Sequence, residues 1–262
     1  MSARNSRPGD IVPCRAGEET PAIEALKAGE VCIWRLPLVA DEEELRRLRD
    51  VLSEPELARI ERRPEEATRR RLTICGGLVR RILAALLGCA ATSVPLIRDA
   101  AGRPFLDDPW SDLHLSLSHS SGWALLAVLI GLRVGIDIER VRSIGDVRRL
   151  SERFLSPVEA RQVTSRDDAP AAFFRAWTRK EALIKGLGLG VPGGLGLVSV
   201  VESDGGGLIV DSPHDGWRVV DVDSPDGYAA SIAVESAGPI PRLFDVERST
   251  SAPGMHRRNF AE

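Results

Sequence analysis

Apolar residues recur at helical spacing from Leu72 to Leu87 and again from Ala171 to Lys185, which predicts two long helices. Between them, Leu113-His-Leu-Ser-Leu-Ser118 alternates apolar and polar positions, the pattern of a half-buried strand. Trp123 to Ile130 is an apolar run without interruption, the pattern of a strand buried on both faces. Val134-Gly-Ile-Asp-Ile-Glu139 alternates once more, and the two-residue period puts Asp137 and Glu139 on one face. Val198 to Val201, Leu208 to Val210, Trp217 to Val222 and Tyr228 to Val234 are expected to close a second sheet. Ser53 and Ser156 stand as N-caps, with Glu56 and Glu159 three residues on completing capping boxes.

The pattern occurs twice. Arg70-Arg-Leu72-Thr73 with Leu78-Val79-Arg80 matches Arg175-Ala-Trp177-Thr178 with Leu183-Ile184-Lys185, all at an offset of 105. Gly122-Trp123-Ala124 matches Gly227-Tyr228-Ala229 at the same offset, and Ser53 with Glu56 matches Ser156 with Glu159 at 103. Three matched segments in one order imply two homologous halves of about a hundred residues each, a size usual for small domains. Strands with one long helix per half imply an α+β fold, not a βαβ array. The expected organisation is an N-terminal half over 21–131 and a C-terminal half over 132–237. Residues 1–20 and 238–262, rich in Pro, Gly, Ser and Arg, are expected to be flexible extensions. Two similar halves pack most simply about a pseudo-twofold axis, and the cleft between them is the first place to look for a ligand.

Composition narrows the classes. The 262 residues are 43% hydrophobic and 28% charged, an ordinary globular profile, with ample chain for a core. A net charge of −3 argues against nonspecific nucleic-acid binding. Cys14, Cys32, Cys75 and Cys89 lack CxxC spacing, which suits a reduced compartment better than a disulfide framework or a zinc site. The first ten residues have no apolar core, so no signal peptide is expected. The longest apolar run, from Trp123 to Leu132, is too short to span a bilayer, so no membrane association is expected and a cytoplasmic location is.

Only three of the 35 basic residues are lysines, and Lys180 and Lys185 lie close together in Trp177-Thr-Arg-Lys180-Glu181-Ala-Leu-Ile-Lys185. An ammonium is a compact, strongly hydrated charge, unlike the planar guanidinium that serves everywhere else in this chain. Glu181 and Lys185 share a helix face at i, i+4, either as a solvated ion pair or as part of a grip on a metal-bound phosphate. Asp137, Glu139 and Glu181 form an all-oxygen set suited to Mg²⁺ shared with substrate phosphates. By composition alone, solvated or arginine-paired acids are the commoner case. An Asp-x-Glu ending an apolar run weighs the other way, because charge there is costly without a partner.

In Ser118-His119-Ser120 the histidine could donate to an anion, or the serines could cap a turn. Arg103, in the Gly102-Arg103-Pro104 turn, could reach a phosphate or be one more surface arginine. Arg59, Arg70, Arg71 and Arg80 give the first half a basic edge. Gly188-Leu-Gly190-Val-Pro-Gly193 has the spelling of a dinucleotide fingerprint but follows a helix, so that reading is rejected. A serine hydrolase would need a Gly-x-Ser-x-Gly elbow, and a P-loop kinase a glycine loop opening a helix; neither occurs.

Gly135-Ile136-Asp137-Ile138-Glu139 and the Trp177 to Lys185 segment resemble the paired signatures of the 4′-phosphopantetheinyl transferases of the Sfp type. Gly102-Arg103-Pro104, Ser118-His119-Ser120 and Arg153-Phe-Leu-Ser-Pro-Val-Glu159 match secondary motifs of that family in the same order, over residues 30 to 235. The resemblance implies a pseudodimeric α+β monomer, each half a long helix on a small sheet, binding coenzyme A and Mg²⁺ between the halves. It implies transfer of phosphopantetheine from coenzyme A to a serine of an apo acyl or peptidyl carrier protein, with release of adenosine 3′,5′-bisphosphate. Carriers of fatty-acid, polyketide, nonribosomal-peptide or siderophore synthesis are the substrates implied. By the same resemblance Asp137, Glu139 and Glu181 bind the metal. The attacking serine also needs a base, and Glu181 or a metal-bound water could serve. Lys185 contacts the pyrophosphate, His119 and Ser118 the 3′-phosphate and Arg103 the adenosine end, with Arg59 and Arg71 as further cofactor-binding positions. A carrier-docking module without catalysis would lack one of the carboxylates or Lys185, and all are present.

Overall fold

A computed structural model of the chain describes residues 12–14, 20–99, 102–203, 205–235 and 242–246. The first part contains strand β1 (Val12–Cys14), helix α1 (Thr20–Lys27), β2 (Cys32–Pro37), α2 (Glu42–Arg49), α3 (Glu54–Glu61) and α4 (Glu66–Leu87). A hairpin of β3 (Leu96–Arg98) and β4 (Pro104–Leu106) follows, then β5 (Leu113–Ser120) and β6 (Trp123–Ile130). The second part opens on β7 (Val134–Arg140) and continues through α5 (Val147–Phe154), α6 (Pro157–Thr164), α7 (Ala169–Leu187) and the short α8 (Val191–Gly194). It ends with the hairpin β8 (Ser199–Glu202) and β9 (Leu208–Asp211), then β10 (Trp217–Asp221), β11 (Tyr228–Glu235) and β12 (Arg242–Val246).

The two parts repeat one topology. From β2 and from β7, each runs strand, three helices, hairpin, two strands, the second with the short α8 added before its hairpin, and each closes the same antiparallel order: β2–β6–β5 in the first, β7–β11–β10 in the second. The fold is therefore the α+β pseudodimer that the internal repeat predicts.

Four layers result. Trp34, Leu36, Leu126 and Val128 point from β2 and β6 toward α1, α2 and α4. Their alternate neighbours Ile33, Leu125, Ala127 and Leu129 point the other way, against Ile136, Ile138 and Ile232 of the second sheet. The far face of that second sheet packs on α7 through Val219, Ala233, Ala182 and Leu183. This is why β6 reads as an apolar run: both of its faces are covered. Each of these large side chains contributes roughly 1.5–3 kcal/mol by leaving water.

Both serine caps form as expected. The Glu56 carboxylate accepts from the Ser53 N–H at 2.9 Å, and the Glu159 carboxylate from the Ser156 N–H at 2.6 Å. Two expectations are corrected. Strands β8 and β9 pair only with each other and do not extend the second sheet. Segments placed in the flexible extensions also form strands: β12 inserts between β1 and β2, parallel to both, so a strand that follows the second half completes the sheet of the first. The remaining residues of those extensions lie outside the described residues.

Candidate active site

The site is assembled where α7 lies on β7, and glycine allows that approach. A Cβ at Gly135 would stand 2.0 Å from the Ala182 carbonyl oxygen and 2.3 Å from the Gly186 nitrogen. With no side chain there, the next residues on the same face of β7, Asp137 and Glu139, come up beside Glu181 and Lys185 of the helix.

Asp137 is only 2% exposed, flanked by the wholly buried Ile136 and Ile138. Its Oδ1 accepts from Lys185 Nζ at 2.6 Å and from the Ser118 hydroxyl at 2.6 Å. Lys185 Nζ also donates to Ser118 Oγ at 3.0 Å and lies 3.8 Å from Glu181 Oε2. Asp137 Oδ2 is buried and has no hydrogen-bond partner. Glu139 Oε2 accepts from the Ser120 hydroxyl at 2.7 Å.

One ammonium does not balance three carboxylates. Burial first, then the Asp137 charge, with Glu139 adding to it, pushes Glu181 up to about 7 against the opposing pull of Lys185. Burial and Asp137 likewise raise Glu139, against the hydrogen bond from Ser120. Among the described residues no three His, Cys, Asp or Glu side chains converge at metal-ligand spacing. The Lys185 ammonium sits on Asp137 instead. The donor set nevertheless suits a hard divalent cation: all-oxygen, with excess negative charge and one orphaned buried oxygen.

A cavity of about 750 Å³ opens beside this cluster, running along β5 between α4, the β3–β4 hairpin and the end of α7. His119, Arg59, Arg98, Arg103 and Lys185 line it, a wall rich in positive charge. His119 is held below its ordinary pKa by desolvation and then by the Lys185 ammonium. The Arg59 Nε is buried without a hydrogen bond. Arg103 pairs with Asp99 and rests against Gly188, where a Cβ would come 2.4 Å from its guanidinium. Gly188 itself is the left-handed cap of α7, consistent with rejecting the nucleotide fingerprint.

The expected site residues thus fall into two groups. Asp137, Glu139, Glu181, Lys185 and Ser118 meet at the β7–α7 contact, while His119, Arg59 and Arg103 face the adjoining cavity with Lys185 between. Ser118 is buried beneath the wall, its proton on Asp137. Arg71 lies off the wall, donating to Thr68 Oγ1 at 3.2 Å, although its charge reaches His119. Sequence reasoning missed Arg98, which stands beside Arg59 and is held below its ordinary value by desolvation and by that neighbour. A lone arginine in a three-residue strand carries no local signal. It also left Lys180 without a role. Lys180 Nζ makes a wholly buried ion pair with Glu159 at 2.9 Å, away from the cavity.

Residues 133–233 match the family model of the 4′-phosphopantetheinyl transferase superfamily. The chain is 33% identical over 223 residues to the 4′-phosphopantetheinyl transferase HetI of a Nostoc species, covering 84% of this chain and 93% of that one. It is 25% identical over 159 residues to the 4′-phosphopantetheinyl transferase Sfp of Bacillus subtilis, covering 59% and 69%. The holo-[acyl-carrier-protein] synthase of Thermotoga maritima overlaps 40% of this chain and 62% of its own at 26% identity and a TM-score of 0.34. The fold is two fused halves of one topology, and the relatives that the chain matches in sequence are named as 4′-phosphopantetheinyl transferases. The chain belongs to the 4′-phosphopantetheinyl transferase family.

Proposed function

We propose that the cavity and the carboxylate cluster beside it form one site, in which coenzyme A lies along the arginine-rich wall with its pyrophosphate next to Lys185. The observation that carries this reading is Asp137: a carboxylate 2% exposed, bonded through one oxygen to Lys185 and Ser118, with the other oxygen left without a partner. Asp137, Glu139 and Glu181 would hold Mg²⁺, which when bound neutralises the pyrophosphate charge.

In the transfer, the carrier serine oxygen forms a bond to the β-phosphorus of coenzyme A. The bond from that phosphorus to the bridging oxygen breaks, and adenosine 3′,5′-bisphosphate departs with the electron pair. Lys185 stabilises the charge that develops on the phosphate oxygens. Glu181 or a water beside it takes the serine proton. Arg59, Arg103 and His119 bind the adenosine and phosphate end as hydrogen-bond donors along the wall.

The two fused halves, each giving one wall, support an Sfp-type enzyme that is complete as a monomer. No described helix is long and apolar enough to cross a membrane. A panel of apo carriers from fatty-acid, polyketide, nonribosomal-peptide and siderophore synthesis is the test of range. The central test is Asp137→Ala with labelled coenzyme A, Mg²⁺ and an apo carrier. The variant is expected to fold and to lose transfer by about a thousandfold. Wild-type labelling of the carrier by this variant overturns the reading.

A further inference from the structure

We propose that Ser118 and Ser120 are positioning residues of the first half that orient the Asp137 and Glu139 carboxylates of the second for a divalent cation. This rests on the cation reading above.

Strands β5 and β7 are edge strands of different sheets. Edges normally present unpaired backbone groups. Here they meet without a backbone ladder and are joined by hydroxyls. Ser116 Oγ accepts from the Ile136 N–H at 3.0 Å, and Ser120 Oγ from the Arg140 N–H at 3.1 Å. Both contacts have the same offset of 20 residues, so the strands run side by side in one direction. Serines at 116, 118 and 120 share one face by the two-residue period, and that face is the seam.

The register so set aims two hydroxyl protons at carboxylates: Ser118 at Asp137, 2.6 Å, and Ser120 at Glu139, 2.7 Å. Each bond engages one carboxylate oxygen and restricts rotation of the group. In Asp137 this leaves Oδ2 as the unpartnered atom. Ser118 also accepts from Lys185 at 3.0 Å, so a single hydroxyl places the acid and the cation beside it. A ligand carboxylate held this way keeps its geometry when the ion arrives, and loss of such a partner typically costs about ten- to a hundredfold in metal affinity. The arrangement also gives Ser118 a task different from contacting the 3′-phosphate, because its proton is committed to Asp137.

Binding of Mn²⁺ in the absence of coenzyme A, followed by electron paramagnetic resonance, separates the two tasks. Ser118→Ala and Ser120→Ala are each expected to weaken Mn²⁺ binding about ten- to a hundredfold. Ser120→Thr, which keeps the hydroxyl, is expected to restore it. Affinity for adenosine 3′,5′-bisphosphate, measured with EDTA present, is expected to match wild type in both alanine variants. Unchanged Mn²⁺ affinity in the alanine variants overturns the proposal, as does loss of bisphosphate affinity with Mn²⁺ binding intact. Equal loss in Ser120→Thr and Ser120→Ala also overturns it, since the hydroxyl is then not the cause. A wild-type protein with no Mn²⁺ site overturns the cation reading itself. Thermal unfolding of each variant confirms that the affinities are those of folded protein, and Ser120 alone decides the matter if Ser118→Ala does not fold.

Discussion

The two halves fasten their long helices to a capping glutamate with different cations. In the first, Arg80 of α4 donates to Glu56 at 2.6 Å, with exposures of 2% and 10%. In the second, Lys180 of α7 reaches Glu159, with exposures of 1% and 0%. Under the internal repeat, Arg80 corresponds to Lys185, while Lys180 corresponds to Cys75. The structural cation has thus moved by five residues along the second helix. That move releases position 185 from fastening the helix and leaves its ammonium for Asp137. Two copies of one topology thus place the supporting contact at different helix positions, and in the second the cation at 185 faces Asp137 instead.

The comparison can be broken most sharply by separating the two lysines. Lys185→Met is expected to lower transfer by about a hundred- to a thousandfold, as removal of a charge-stabilising donor does. Lys180→Met should leave turnover of the folded protein near wild type. Similar turnover losses in both, measured well below the unfolding temperature, would merge the two roles.

The next largest effect is on stability. Removing one partner of a buried ion pair leaves the other charge without compensation and costs about 3–5 kcal/mol. Lys180→Met and Arg80→Met should each show that loss in urea unfolding. Loss in only one would mean that the two halves are not fastened alike.

A pH experiment sharpens the same correspondence at Cys75, where the second half has Lys180. Burial pushes this thiol up from 9.0 to about 12, against the opposing charges of Arg98 and Arg59. A raised thiol pKa keeps the group neutral and unreactive through the range where an ordinary cysteine ionises. Alkylation of Cys75 in native protein, followed by peptide mass spectrometry, should stay flat from about pH 7 to 10, while glutathione added as a control thiol reacts faster as pH rises. A rise at Cys75 parallel to that of the glutathione control would refute the burial argument.

The smallest effect concerns the caps. Ser156→Ala and Ser53→Ala should each cost about 1 kcal/mol in unfolding free energy. Ser156 also shares a hydrogen bond of 2.9 Å with Ser199, so its loss should be the larger. The reverse order would place the stronger cap in the first half.

Much of this was legible in the chain because it depends on neighbours in sequence. Helical spacing marked α4 and α7, alternation marked β5 and β7, and an unbroken apolar run marked β6. Capping boxes announced α3 and α6, and the two-residue period put Asp137 and Glu139 on one face before any contact was known. The repeat announced the pseudodimer, since matched segments in one order build matched units.

Tertiary structure alone decided how those pieces meet. The insertion of β12 beside β2 joins residues more than 200 positions apart, and parallel pairing at that range leaves no local pattern. The assignment of Lys180 to Glu159 and of Lys185 to Asp137 depends on which face of α7 each occupies once Gly135 lets the helix down onto β7. The alternating serines of β5 were visible as hydroxyls, but their partners became defined only when two sheet edges came together. Sequence carries the period of an element; which neighbour fills the space beside it is settled by packing.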